Sequence, residues 1–77
     1  MKISELNGLM EKSKSKKDGV YIKGSYYYAV KDGYLVLLGN RVSGELQQIC
    51  YGFLVNIGNV ERYNVQKELK RLLLNIN

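Results

Sequence analysis

Apolar and polar positions change period twice along the 77-residue chain, and the change points mark its elements. Ile3, Leu6 and Met10, with Leu9 beside them, recur at helical spacing and predict a first helix over residues 3–14, which Ser4 can cap. Gly8 weakens that helix by roughly 1 kcal/mol relative to alanine. From Val20 the period falls to two, with Val20, Ile22, Tyr26, Tyr28 and Val30 on one side and Tyr21, Lys23, Tyr27 and Lys31 on the other. One strand over Val20–Val30 follows, or two short ones if Lys23, Gly24 and Ser25 form a bulge or tight turn.

Asp32 and Gly33 interrupt the pattern between Tyr26–Lys31 and Tyr34–Leu38. Both residue types tolerate φ > 0, as a two-residue type I′ turn demands, so this stretch reads as a β-hairpin. A regular ladder then pairs Lys31 with Tyr34, Val30 with Leu35, Ala29 with Val36, Tyr28 with Leu37 and Tyr27 with Leu38. Both faces of the hairpin carry apolar or aromatic groups. Gly39–Glu45 reads as a loop carrying Arg41, and Leu46–Ile57 as a third strand, with Ile49, Tyr51, Phe53, Val55 and Ile57 on one face. Gly58 and Asn59 end the sheet.

Val65, Leu69, Leu72, Leu73 and Ile76 then return to helical spacing as one buried stripe, N-capped by Asn59 or Asn64. If Asn64 is the cap, Val60–Tyr63 forms a short edge segment. The predicted fold is a single α+β domain over 1–77: a three-stranded antiparallel meander with N- and C-terminal helices, α-β-β-β-α, both helices on one face. That face holds Val20, Ile22, Tyr28, Val30, Leu35, Leu37, Tyr51, Phe53 and Val55. The other, left open, holds Tyr21, Lys23, Tyr27, Lys31, Tyr34, Val36, Leu38, Cys50 and Leu54. An open face this apolar calls for a cover.

Composition narrows the chemistry. With no histidine and a single cysteine, Cys50, the usual zinc, iron and copper ligand sets and the nucleophile–histidine pairs are missing. The seven carboxylates are scattered along the chain, so the sequence predicts no enzyme, no metal and no cofactor. Glu45 and Glu61, flanking the third strand, are the one acid pair that could approach each other. No internal disulfide is possible, and no apolar run reaches the ~18 residues of a membrane span or the core of a signal peptide. A cytoplasmic protein away from membranes is the expectation.

Twelve basic residues against seven acidic give a net charge of +5, which points to anionic partners. Lys12, Lys14, Lys16 and Lys17 alternate with serines after the first helix, and Lys67, Lys70 and Arg71 lie along the last. Helices on one face would bring these seven together as a phosphate footprint for RNA or DNA. They would equally serve as solubilising helix exteriors.

On the open face Tyr21, Lys23, Tyr27, Lys31 and Tyr34 interleave rings and cations, as single-strand binders do. Val36, Leu38 and Leu54 beside them fit a protein or homodimer contact better. The element order resembles that of double-stranded RNA-binding domains, but their proline and histidine loop and their lysine cluster opening the last helix have no counterpart here. A phosphate-binding P-loop is also excluded, since no Lys-Ser or Lys-Thr follows Gly39 and Gly44.

Two functions remain. The first is a non-catalytic accessory protein that binds nucleic acid through its basic surface. The alternative is a protein-interaction module, such as a phage- or mobile-element-encoded inhibitor or modulator of a larger protein machine, acting through the open sheet face.

Overall fold

Glycine-bearing turns, more than the hydrophobic pattern, decide how many strands form. In the computed structural model, which describes residues 1–76, Gly24 and Gly52 both have positive φ and each ends a strand that alternation alone would continue. The Val20–Val30 run becomes β1 (Gly19–Lys23) and β2 (Tyr26–Lys31), and the Leu46–Ile57 run becomes β4 (Glu45–Cys50) and β5 (Phe53–Asn59). With β3 (Tyr34–Asn40) these form a five-stranded antiparallel meander in sequential order, not a three-stranded one. The meander lies between α1 (Ile3–Ser13) and α2 (Val65–Leu74), and a 3-10 turn at Arg62–Asn64 leads into α2.

The second split passes over a tyrosine. Tyr51 and Gly52 take φ values of 51° and 81°, nearly those of Asp32 and Gly33 (52° and 82°), so the two hairpins close with the same backbone twist. Glycine at the second position supplies the freedom, and the first is held by a residue that rarely adopts it.

The central hairpin pairs Lys31 with Tyr34 and Val30 with Leu35 as expected, but a bulge between Ala29 and Val30 shifts the rest by one. Ala29 lies opposite Leu37, Tyr28 opposite Leu38, and Tyr27 opposite Gly39, so Val36 is the extra residue. The shift moves Leu37 and Leu38 onto opposite faces from those a regular ladder gives them.

Each face then has its own helix. Leu9 of α1 packs with Tyr28, Val30, Leu35 and Leu38, with Leu6, Tyr21, Ile49 and Leu54 around them. Val65, Leu69 and Leu73 of α2 pack with Ala29, Leu37 and Leu46, with Val20, Tyr27, Val36, Val60, Leu72 and Ile76 at the margin. Neighbouring residues of a strand point to opposite faces, so Tyr28 against α1 and Ala29 against α2 place the helices on opposite sides of the sheet.

The expected single covered face is therefore overturned. Ile22, Tyr51, Phe53 and Val55, assigned to the core, are exposed, while Tyr21, Tyr27, Val36, Leu38 and Leu54, assigned to an open face, pack under one helix or the other.

The helices seat differently. On α1 the buried positions are Leu9 and Ser13, whose hydroxyl donates to the Leu9 carbonyl at 2.7 Å, while Ile3 is left exposed. The predicted Ser4 cap does not form; Lys2 occupies the N-cap position without a side-chain bond. On α2 the stripe is as predicted: Val65, Leu69 and Leu73 are buried, Leu72 and Ile76 half-buried, and Asn64 stands at the N-cap position without a side-chain bond to the helix. Residues 60–63 add no strand; β5 runs on to Asn59 before the 3-10 turn.

α2 can approach because Gly39 of β3 lies beneath it. A Cβ there would overlap Val65 Cγ1 and touch Leu69 Cδ1 at 3.0 Å. Across the molecule, Arg41 ties the β3–β4 loop to the β1–β2 turn: its guanidinium donates to the Gly24 carbonyl (2.7 Å) and its N–H to that of Ser25 (2.8 Å). The same guanidinium stacks over Tyr27, 5.3 Å from the ring centre.

Gly39→Ala is expected to lower the unfolding free energy by about 1–3 kcal/mol, because α2 must lift off the sheet to admit the methyl group. Chemical denaturation reads this directly. An unchanged midpoint would contradict the close seating of α2.

Candidate nucleic-acid interface

Residues 14–17 leave α1 as continued turns. The Lys14 N–H donates to the Glu11 carbonyl at 3.3 Å, that of Ser15 to Lys12 at 3.3 Å and that of Lys16 to Ser13 at 3.1 Å, so the lysine-serine run winds down from the helix end. Tyr21 then holds it against the sheet. Its hydroxyl donates to the Lys17 carbonyl at 2.6 Å, its ring lies 4.4 Å beneath the Lys16 ammonium, and it packs on Tyr28 with ring centres 5.6 Å apart.

Asp18 joins this turn to the central hairpin. One carboxylate oxygen accepts the Asp32 N–H at 2.8 Å and the other lies 3.5 Å from the Lys31 ammonium. The Asp18–Gly19 and Asp32–Gly33 steps are thereby set side by side. Lys70 reaches the same place from the other side of the sheet. With Asp18, Gly19, Val20, Lys31, Leu73 and Leu74 it lines a shallow hollow of about 460 Å³. One end of the molecule thus gathers Lys14, Lys16, Lys17, Lys31 and Lys70, drawn from the turn after α1, β2 and α2.

Three of the seven cations expected in one footprint are not part of this set. Lys12 borders a separate hollow with Met1, Glu5, Gly8, Leu9 and Lys23 along the flank of α1. Lys67 sits a turn earlier on α2. Arg71 is tied to Glu68 by a pair of contacts, one of them Nε to Oε1 at 2.6 Å. Within the gathered set Lys14 pairs with Glu11 at 3.0 Å, an exposed pair of small energetic weight. Lys16, Lys17 and Lys70 have no ion-pair partner among the described residues.

Lys31 and Tyr34, which the sequence placed on an open sheet face, belong to this end as well. Tyr34 is 72% exposed, pairs with Lys31 across the hairpin, and borders a groove of about 710 Å³ with Lys14, Met10, Leu35 and Ile49. Tyr21 and Tyr27 are half-buried under α1 and α2 and are lost to stacking. No pattern in the sequence distinguishes Tyr34 from its neighbours; its position at the hairpin end does.

No group of three or more His, Cys, Asp or Glu able to hold a metal occurs among the described residues. Glu45 accepts from the Asn56 amide at 3.0 Å, and Glu61 lies on a different, polar surface hollow with Val42, Ser43 and Arg62. Cys50 is a free, exposed thiol. No helix among the described residues is long and apolar enough to cross a membrane. Comparison with protein-family models, with curated proteins and with solved structures finds no match.

Burial pushes the Tyr28 hydroxyl above the ordinary tyrosine value, and Tyr21 beside it adds to the shift. The folded state therefore keeps a proton that the unfolded chain releases near pH ~10, so stability is full below that pH and falls as pH rises past it. Tyr28→Phe is expected to lose less stability than the parent protein between about pH 9 and 11, read by urea midpoints. Equal losses would contradict the assignment.

Proposed function

We propose that this protein binds nucleic acid, with Lys14, Lys16, Lys17, Lys31 and Lys70 contacting phosphates and Tyr34 offering a ring to an unpaired base. What carries this reading is the convergence of lysines from both faces of the sheet on one end of the molecule, around Asp18. Cations drawn from three separate segments, with the Lys14–Lys17 turn held by backbone and ring contacts, present charge without first ordering a flexible tail. The phosphate backbone rewards such a cluster by counterion release, independently of sequence.

The exposed Tyr34 favours a single strand over a duplex, since a ring beside Lys14 and Lys31 can stack a base while the ammonium groups meet the adjoining phosphates. No catalytic step belongs to this reading. A protein docking on an open apolar sheet face is less favoured, because Leu38 is buried with Leu9 of α1 and Tyr21 and Leu54 are half-buried against that cluster.

Binding of a labelled single-stranded oligonucleotide, titrated at rising salt, tests the proposal. With three to five phosphate contacts the plot of log affinity against log salt is expected to fall with a slope of about −2 to −3.5. Replacing Lys16, Lys17 and Lys70 together with glutamate should remove most of that slope, and Tyr34→Ala should cost about 1–3 kcal/mol on single strands while leaving duplex binding unchanged. Absence of salt-sensitive binding at low ionic strength would overturn the reading.

A further inference from the structure

The β5 edge of the sheet is unlike the rest of the surface. Phe53, Val55 and Ile57 alternate along it at 73%, 45% and 40% exposure, on the face opposite Leu54, which packs toward α1. α2 lies on that same face but reaches only as far as Leu46 of β4, so the row is left uncovered. From Leu46 to Val60 the chain carries no charged residue, its longest such run, within a protein of net charge +5. Edge strands exposed in monomers normally carry lysine or proline, or are short. The opposite edge, β1, is shorter and ends on Lys23; β5 carries no lysine or proline, and its one bulge leaves Ile57 extra between the Leu46–Gly58 and Gln47–Asn56 pairs, beyond the regular Phe53–Asn56 stretch.

The backbone of β5 is also free in a particular register. In the two-residue β4–β5 hairpin, Cys50 pairs with Phe53 and Gln48 with Val55. These are the pairs that exchange hydrogen bonds in such a hairpin, so the N–H and C=O groups of Leu54 and Asn56 point away from β4 toward solvent. Two residues apart, they are spaced to bond the same two residues of an identical strand running the other way.

We propose that the occupant of this edge is a second copy of the chain, its β5 paired antiparallel about a two-fold axis through Val55. Leu54 bonds reciprocally with the partner's Asn56, and Asn56 with the partner's Leu54. Val55 faces its own counterpart, and Phe53 meets the partner's Ile57, the bulge residue that closes the regular stretch, on the row that α2 leaves bare. Val55 and its counterpart form a non-hydrogen-bonded pair, the closer of the two antiparallel spacings, and aromatic against β-branched is a favourable cross-strand combination. The uncharged run is where two copies with a like surplus of charge repel least. The two sheets would join into one of ten strands. The inference stands independently of the nucleic-acid reading.

The test is light scattering coupled to size exclusion on the full chain, under reductant so that Cys50 cannot cross-link, over a range of concentrations. The expected mass is twice 8.8 kDa, 17.6 kDa, falling to 8.8 kDa on dilution. Val55→Lys and Val55→Glu, each placing like charges face to face at the axis, should be 8.8 kDa species alone and recover the 17.6 kDa species when mixed. In the unaltered protein, amide exchange at Leu54 and Asn56 should slow with concentration, which keeps the test sound if a variant fails to fold. A monomer at every concentration, a dimer indifferent to Val55→Lys, a mixture that stays monomeric, or concentration-independent exchange at Leu54 and Asn56 would each overturn the proposal.

Discussion

The structure depends on one constraint: the β2–β3 hairpin is apolar on both of its faces, so neither face can be left to water. Tyr28, Val30, Leu35 and Leu38 are shielded by α1, and Ala29 and Leu37 by α2. Burying a large aliphatic or aromatic side chain is worth about 1.5–3 kcal/mol, and a chain of this size has few to spare. A sheet with one covered face would have exposed Leu38 and Tyr28 or else Leu37 and Ala29. Dividing the two helices between the faces is the arrangement that hides both sets. It also explains why Gly39 lies under α2: the helix must come down close to a narrow sheet to close its half of the core.

The surface follows from the same division. Since the helices lie back to back across the sheet, the cations on their outer sides point away from one another, and only those near one sheet end converge. Lys14, Lys16 and Lys17 come round from α1, Lys70 from α2, and Asp18 draws in Lys31 between them. The two short helices run out before β5, and the strand they leave uncovered is the neutral, apolar one. The lysines thus gather at the sheet end that carries the Asp32–Gly33 turn, where Lys14 shares a groove with Ile49 and Gly52, and the apolar exposure runs along the β5 edge.

Much of the fold was legible in the sequence. The helical stripe Val65, Leu69, Leu72, Leu73 and Ile76 and the Asp32–Gly33 turn are local patterns, and both appear as read, although only the first two pairs of the hairpin keep the expected register. The break at Lys23–Gly24–Ser25 was open in the sequence as a turn between two short strands, but the break at Tyr51–Gly52 was not legible, because alternation runs straight through it. At the second of these a tyrosine takes the φ > 0 position that Asn or Asp usually announces. The bulge at Val36 was equally silent, and a one-residue shift sends every side chain beyond it to the other face. That shift put Leu38 on the wrong list, and with it the idea of an open face. The lysines were visible as a class, but which of them meet depends on helix placement, which no local pattern encodes. The uncharged run 46–60 was in plain view and marks the β5 edge once the strands are counted as five.

Methyl contacts in solution test the two-sided arrangement most directly. In nuclear Overhauser spectra the Leu9 methyls should meet Tyr28 and Leu38, and the Leu69 methyls should meet Ala29 and the Gly39 α protons, as two disjoint sets. Contacts from Leu9 and Leu69 to the same strand residues would place both helices on one side of the sheet and contradict the account.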